Sequence, residues 1–349
     1  MNIQDYVLAV PYQIAWHLYR RVRRHPKVIF YCEDPLDYIM FAPIQKHLPP
    51  LPIVVTNRKT ARYLKSQGVP YGWMPSFPQA VIMGRHKPYK FPVAQIIKIG
   101  FDHGLYQFKK WTSAKYYNGF RCYFVSSESQ VALGRERGIT STRAVGYPKI
   151  DPLFDGTYDA GFQERLRRRL GLDPQKKTLL FSSTWDVDGM SALERWIDKV
   201  HVLTRDYNVL VTVHTWTSRK NVEKLQQLPG VIYIADPNVV PYLLLADVLV
   251  GDTSSLIGEF CALDKPIITF RVPAGPRSVK EIMEMLADIS LQIDDFEEIH
   301  SAIRTCLANP SAQAPQRHKA TALMFTALDG QAGARAARHI RAELQGLFE

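Results

Sequence analysis

Cysteine is scarce in this chain: Cys32, Cys122, Cys261 and Cys306 are the only four in 349 residues, far apart and with no CxxC pair. That excludes a zinc ribbon and a disulfide framework, and makes a reducing cytoplasm the default setting. Long apolar runs are missing as well. No stretch of about 18 apolar residues occurs, so no membrane span is expected. The N-terminus does not read as a secretory signal, because its positive charges follow the apolar segment instead of preceding it. Neither GxGxxG nor a Walker A sequence is present, which removes the usual support for a dinucleotide or ATP site. His-rich or paired-carboxylate metal spacing, low-complexity tracts and repeats beyond two α/β halves are also lacking.

What the chain has is length, apolar content and positive charge. At 349 residues it suits two domains, and 46% hydrophobic with 22% charged residues is a globular composition. The net charge of +11 calls for an anionic partner: nucleic acid, an anionic membrane surface or phosphorylated substrates. No nucleic-acid-binding signature accompanies that charge, and it is not gathered in one tract, so no nucleic-acid partner is expected.

Residues 2–24 predict an amphipathic helix. Ile3, Val7, Val10, Ile14, Leu18 and Val22 recur at spacings of three and four, forming one apolar stripe. Tyr6, Tyr12, Trp16 and Tyr19 add aromatic bodies with polar tips, and Pro11 would kink or restart the helix. Trp16 with Arg20, Arg21, Arg23 and Arg24 is the expected membrane contact, each basic residue near an anionic leaflet adding about 1 kcal/mol. A helix packed on its own domain with a solvated basic end fits the same pattern.

Beyond it, strands and helices alternate. Strands are expected at Val28–Tyr31, Pro52–Thr56, Gln79–Met83, Gln95–Gly100 and Cys122–Ser126, with helices at Asp37–His47 and Thr60–Gln67. A polar, glycine-containing stretch at Asp155–Gly161 suits an interdomain link. The pattern restarts with Thr178–Ser182, a helix over Ala192–Thr204, then Val209–His214 and Val231–Ile234. Such alternation predicts Rossmann-like α/β units. The expected divisions are 1–27, 28–155, 156–325 and a terminal helix at 326–349.

The second half centres on Ala246–Phe270: a short apolar strand, a turn Asp252-Thr253-Ser254-Ser255, a helix, a Lys265-Pro266 break and another apolar strand. This is a βαβ unit. Three hydroxyls at the start of a helix suit a phosphate, whose charge the unpaired donors there favour. They equally suit a plain helix cap. Thr184 and His214 also fall at carboxyl ends of predicted strands, the edge at which open α/β sheets bind ligands. His103, in Phe101-Asp102-His103-Gly104, lies just past another strand, where an imidazole can take a proton from an attacking hydroxyl.

Taken together, these segments resemble the CDP-glycerol glycerophosphotransferase family of teichoic-acid and capsule polyol-phosphate transferases. Phe101-Asp102-His103-Gly104 looks like its Trp-His-Gly element, with Asp102 in place of Trp. Gly146-Tyr147-Pro148-Lys149-Ile150-Asp151 is similar to Gly-x-Pro-Arg-x-Asp, with Lys149 replacing Arg. Ser183-Thr184-Trp185 resembles a Pro-Thr-Trp strand end, and His214 stands where the family has His-Pro, here followed by Thr215. Asp252-Thr253-Ser254-Ser255 with Lys265-Pro266 resembles Asp-x-Ser-Ser and its downstream Lys-Pro. Leu328-Asp329-Gly330-Gln331-Ala332 resembles the terminal Asp-Gly-Lys-Ala.

The resemblance implies an α/β GT-B fold, two facing Rossmann-like domains, here with the N-terminal amphipathic helix. It implies an enzyme that transfers glycerol phosphate or ribitol phosphate from a CDP-polyol donor to a hydroxyl of a glycan or lipid-linked acceptor, releasing CMP. His103 and His214 would be catalytic; Thr184, Trp185, Asp252, Thr253, Ser254, Ser255 and Glu259 would bind the donor. No cofactor is required by the sequence, and Mg²⁺ could arrive with the diphosphate without a dedicated cage. The expected location is cytoplasmic, peripheral on the inner face of the cell membrane. Two alternatives stand beside it: a GT-B glycosyltransferase or sugar-nucleotide epimerase, and a non-catalytic glycan- or membrane-binding protein on a GT-B-like shell. CMP release from CDP-glycerol separates the first from the leading reading, and loss of function in His103→Ala separates the second.

Overall fold

The structure, a computed structural model, describes residues 8–22, 26–102, 104–105, 113–186, 191–274 and 280–348. The chain divides into two compact units, residues 1–151 with 325–349 and residues 152–324. Each is built on one parallel sheet.

Unit one runs α1 (Ala9–Val22), β1 (Val28–Cys32), α2 (Pro35–Gln45), β2 (Ile53–Val55), α3 (Arg58–Ser66), β3 (Gly72–Trp73), β4 (Ala80–Met83), β5 (Ile97–Phe101), α4 (Ala114–Tyr117), β6 (Cys122–Val125), α5 (Glu128–Glu136) and β7 (Thr142–Ala144). The strand order is β3-β2-β1-β4-β5-β6-β7. Strands such as Val-Ile-Phe-Tyr-Cys are buried along their whole length, as a sheet covered on both faces requires. Asp34 caps α2 in a capping box with Asp37, whose Oδ2 accepts from the amides of Glu33 and Asp34 at 2.9 Å each. The two- and three-residue edge strands β3 and β7 are too short to show a period, and the sequence pattern passes over both.

Unit two runs α6 (Ala160–Leu170), β8 (Thr178–Ser183), α7 (Leu193–Trp196), β9 (Asn208–Val213), α8 (Arg219–Gln227), β10 (Val231–Tyr233), α9 (Val240–Leu245), β11 (Val248–Gly251), α10 (Leu256–Cys261), β12 (Ile267–Phe270), α11 (Lys280–Ile289), β13 (Leu291–Ile293), α12 (Ile299–Ala308) and α13 (Ala314–Met324). Its order is β10-β9-β8-β11-β12-β13. The helix expected over Ala192–Thr204 is instead the single turn α7, a bend, and a 3₁₀ turn at Val200–Arg205. Leu193, Trp196, Ile197, Val200 and Leu203 still bury on one side, so the apolar spacing was real while the backbone path was not.

The last helix, α14 (Ala332–Glu343), returns to unit one and packs on α2. Gly333 permits this, since a Cβ there would lie 2.5 Å from the Pro43 carbonyl oxygen. Asp151 accepts from the amides of Ala332 at 3.1 Å and Gly333 at 2.7 Å, closing the start of the helix.

Helix α1 buries its aromatic side and leaves the expected aliphatic stripe exposed. Trp16 is only 2% exposed and donates Nε1–H to the Pro78 carbonyl at 2.7 Å, so it is no membrane contact. Tyr12 likewise donates to the Ser76 carbonyl. The aliphatic residues Leu8, Val10, Ile14 and Leu18 face solvent at 56–64% exposure. Arg23 and Arg24 lie outside the described residues, as do the side chains of Arg20 and Arg21. No described helix is long and apolar enough to cross a membrane.

Candidate functional site

In both sheets the chain adds strands on one side and then crosses to the other, and ligands of open α/β sheets bind at the carboxyl edge of that crossing. In unit two the crossing lies between β8 and β11. There Asp252, 2% exposed, ties the loops together. Its carboxylate accepts from Ser183 Oγ at 2.6 Å, from the amides of Thr184 at 2.9 Å and Ala192 at 3.0 Å, and from the Thr253 amide at 2.5 Å. Burial pushes its pKa above the usual aspartate range, against the pull of these bonds.

The sequence places Asp252 and Glu259 among the donor contacts, and in the structure both are buried. Asp252 spends its oxygens on protein donors, and Glu259 is enclosed at 1% exposure on the first turn of α10. The edge itself consists of Thr184, Trp185, Thr253, Ser254 and Ser255, all partly accessible. Ser254 Oγ accepts from the Leu256 amide at 3.3 Å, so one hydroxyl does cap locally. Ser255 makes no side-chain cap bond, and Thr253 Oγ1 is buried with no protein partner among the described residues. A buried hydroxyl left unpaired costs about 1–3 kcal/mol, which a ligand oxygen would recover. Helix α10 has only six residues and two amides near its start are already used, so its dipole contributes little.

One strand over, past β9, His214 is exposed and its Nδ1 accepts from the Trp216 amide at 3.2 Å. A neutral ring accepting at Nδ1 carries its hydrogen on Nε2, which makes Nε2–H a donor. Trp216 is 60% exposed, with its ring 4.7 Å from Trp185 and 5.3 Å from His214. Asp186 fastens this group from below, accepting from the Ser218 amide at 3.1 Å and Asn221 Nδ2 at 2.8 Å. Burial raises the Asp186 carboxyl, but the bonds from Ser218 and Asn221 outweigh it and hold the pKa below the usual range. Sequence reasoning missed Trp216 and Asp186. The available signal was an aromatic two residues after a strand-end histidine.

In unit one the crossing lies between β1 and β4. Arg85 sits there among carboxylates, 3.3 Å from Asp37 and 4.0 Å from Glu33 and Asp34, while Lys87 pairs with Glu33 at 2.8 Å. Desolvation lowers the guanidinium pKa, but Asp37, Asp34, Glu33 and Asp102 together raise it further. Asp102 follows β5 directly, and His103 lies outside the described residues.

Three motif residues turn out to be fasteners. Lys265 donates to the carbonyls of Leu244 and Ala246 at 2.8 Å each, and its burial lowers its pKa to about 8. Asp329 forms a two-pronged pair with Arg335, which also donates to the Val145 carbonyl. Asp151 caps α14, as described above. Among the described residues no three His, Cys, Asp or Glu side chains are grouped to hold a metal ion.

A family model described as CDP-Glycerol:Poly(glycerophosphate) glycerophosphotransferase matches residues 96–342. The teichoic acid ribitol-phosphate polymerase TarK of Staphylococcus aureus (strain NCTC 8325 / PS 47) is 26% identical over 163 residues, 42% of this chain and 31% of that protein. The chain therefore spans less than a third of the length of the curated relatives it matches. A structure of the wall teichoic acid polymerase TagF superposes with a TM-score of 0.68 at 15% identity, covering 99% of this chain and 98% of that one. A UDP-GlcNAc 2-epimerase from Neisseria meningitidis reaches 0.61 at 12% identity, covering 90% and 99%. At such identities the structural likeness speaks for the fold alone.

Proposed function

The chain belongs to the CDP-glycerol:poly(glycerophosphate) glycerophosphotransferase family, and from that premise we propose that it transfers glycerol phosphate or ribitol phosphate from a CDP-activated donor to an acceptor hydroxyl. The acceptor is a glycan or lipid-linked chain in cell-surface polymer synthesis, and CMP is released. The acceptor oxygen attacks the phosphorus carrying the polyol, the bridging P–O bond breaks, and CMP takes up the electron pair. Such transfers depend on alignment and on stabilising charge on phosphate oxygens. Thr253, Ser254 and Ser255 with Thr184 would hold the diphosphate, Trp185 would wall it, and His214 Nε2–H would donate to a non-bridging or leaving oxygen. His103 would take the acceptor proton.

The observation that carries this reading is the Thr253 hydroxyl, buried at the β8/β11 crossing with no partner among the described residues, on the same sheet edge as His214, whose Nδ1 accepts and whose Nε2 therefore carries the hydrogen. The test is to incubate the purified protein with CDP-glycerol, CDP-ribitol and UDP-GlcNAc and follow the nucleotide released. CMP from a CDP-polyol is expected. Epimerisation of UDP-GlcNAc, the activity named for the like-folded neighbour, would overturn it.

The exposed aliphatic stripe of α1 supports peripheral attachment to the inner face of an anionic membrane, with Arg20, Arg21, Arg23 and Arg24 at its basic end. Equal binding to anionic vesicles by the chain with and without residues 1–24 would remove that part of the reading.

A further inference from the structure

The charges of unit one are unevenly placed. From Tyr38 to Phe101 the sequence has no aspartate or glutamate. The acids on either side of that stretch, Glu33, Asp34, Asp37 and Asp102, sit at or just past the carboxyl ends of β1 and β5. Helix α3 lies inside it and carries Arg58, Lys59, Arg62 and Lys65 with no acid of its own.

That composition does not serve the helix. Arg58 and Lys59 stand in the first turn, where the helix dipole disfavours cations. Arg62 follows Arg58 by four residues and precedes Lys65 by three, spacings at which like charges repel. Lys59 meets Asp34 at 3.4 Å. Arg58 and Lys65 make no side-chain hydrogen bond or ion pair with the described residues. Arg62 donates Nε–H to the Arg58 carbonyl at 3.3 Å, a bond to a neutral group that leaves its charge uncompensated. All three are exposed.

Arg58, Arg62 and Lys65 form one helix face, about 10 Å long. Its start is fastened to the β1/β4 edge, since Asn57 Nδ2 and Thr60 Oγ1 donate to the Glu33 carbonyl at 2.6 and 2.9 Å. From there the row of cations leads away along α3. The apolar residues Ala61 and Leu64 are buried, so α3 has no aliphatic face to sink into a bilayer, unlike α1. A row of spaced cations without apolar neighbours on the helix suits a chain of spaced anions.

We propose that Arg58, Arg62 and Lys65 hold the phosphodiester backbone of a polyol-phosphate chain as it leaves the β1/β4 edge. The proposal rests on the transferase reading above, which supplies a polymer of that chemistry, and it concerns residues outside the 96–342 matched by the family model. Glu33 and Asp34 do not oppose it, because the chain end that meets them is a neutral hydroxyl and the phosphates lie further along.

The probe is a fluorescently end-labelled oligo(glycerol phosphate) of about ten units, titrated against the full chain by anisotropy at several salt concentrations. In Arg58→Gln/Lys65→Gln the affinity should fall about tenfold or more at low salt. The slope of log Kd on log salt should shrink by roughly 1.4, about 0.7 per lost cation if the chain behaves like a single-stranded polyanion. Arg58→Lys/Lys65→Arg keeps the charges and should bind as the parent does. Arg304→Gln/Lys319→Gln removes two exposed cations from unit two and should stay within about twofold of the parent. Unchanged binding by the α3 Gln variant overturns the proposal, and so does an equal loss in either of the other two. Binding to phosphatidylglycerol vesicles should not change in the α3 Gln variant; a loss there as large as that for the oligomer makes the stripe a general anionic-surface contact and overturns it too. CMP release from CDP-glycerol, measured on the same preparations, reports separately on the transferase reading.

Discussion

The strand crossings of the two units occupy corresponding places in their sheets and are lined by different chemistry. At β8/β11 the accessible groups are neutral hydroxyls, with the one carboxylate sunk beneath them and saturated by four protein groups. At β1/β4 a guanidinium and a lysine are already paired with Glu33, Asp34 and Asp37. An incoming diphosphate would meet three acids there and would have to displace existing ion pairs. It meets no accessible carboxylate among Thr184, Trp185 and Thr253–Ser255. On the proposed function, this contrast favours unit two as the seat of the charged donor. On the same proposal, unit one would take the neutral acceptor hydroxyl, for which nearby carboxylates are hydrogen-bond acceptors and not competitors.

The assignment is most exposed to failure at His214. Replacing it with alanine removes the Nε2 donor while the strand end stays in place. We expect kcat for CMP release to fall roughly 10²–10⁴-fold, the range for loss of a positioned acid or base, with a smaller change in donor KM. A loss under tenfold in steady-state kinetics would break the unit-two half of the comparison.

Next in size is Asp252→Asn. Asparagine keeps the shape but points an NH₂ at backbone N–H groups, leaving at least one buried donor unpaired for about 1–3 kcal/mol. Because the folded pKa of Asp252 is raised, the native state holds that proton above pH 3.8 more tightly than the unfolded chain does. Its contribution is full below the unfolded pKa and lost as pH rises through the folded one. The wild-type advantage over the Asn variant should thus be larger at low pH, as urea midpoints across that window would show. A pH-independent difference would mean that the carboxyl is not titrating in the fold.

For unit one the matching substitution is Arg85→Met, which strips the guanidinium from the buried Asp37. Asp37 keeps its two amide donors, so the cost should sit near 1–2 kcal/mol, below the 3–5 kcal/mol of a buried pair broken outright. Thermal denaturation would register it. Donor KM should not move, and a rise in donor KM would place the diphosphate on the wrong unit.

Much of this arrangement was legible in the sequence because parallel sheets write themselves plainly: buried apolar strands, then polar turns. His214 and Thr253–Ser255 fall at strand ends for that reason. Whether a motif residue faces ligand or protein was not legible. Asp252, Lys265, Asp151 and Asp329 all read as site residues or motif members, and all four hold loops or helix ends. The bonds that reveal this join residues as far apart as Asp151 and Gly333, beyond any local period. Helix α1 shows a different limit. Its aliphatic and aromatic stripes lie on neighbouring faces, and hydropathy favours burying the aliphatic one. The hydrogen bonds of Tyr12 and Trp16 decide for the other.

The smallest expected effect gives the sharpest reading of which unit holds the donor. Trp216 shows 60% of its surface to solvent beside Trp185 and His214, and an exposed indole without a ligand leaves apolar area in water. If a nucleotide base or polyol covers that ring, Trp216→Ala should raise donor KM about tenfold, the lower part of the ~1–3 kcal/mol typical of a base stacked on an aromatic. Alanine retains the backbone amide that donates to His214 Nδ1, so kcat should hold within a few fold. Trp216→Phe should restore most of the affinity, since the stacking face survives. In the parent protein, titration with CDP-glycerol should quench indole fluorescence, and that signal should weaken in Trp216→Ala. Should the substitution change acceptor KM and leave donor KM alone, the aromatic group belongs to the acceptor, and the division of labour inferred from the two crossings would have to be reversed.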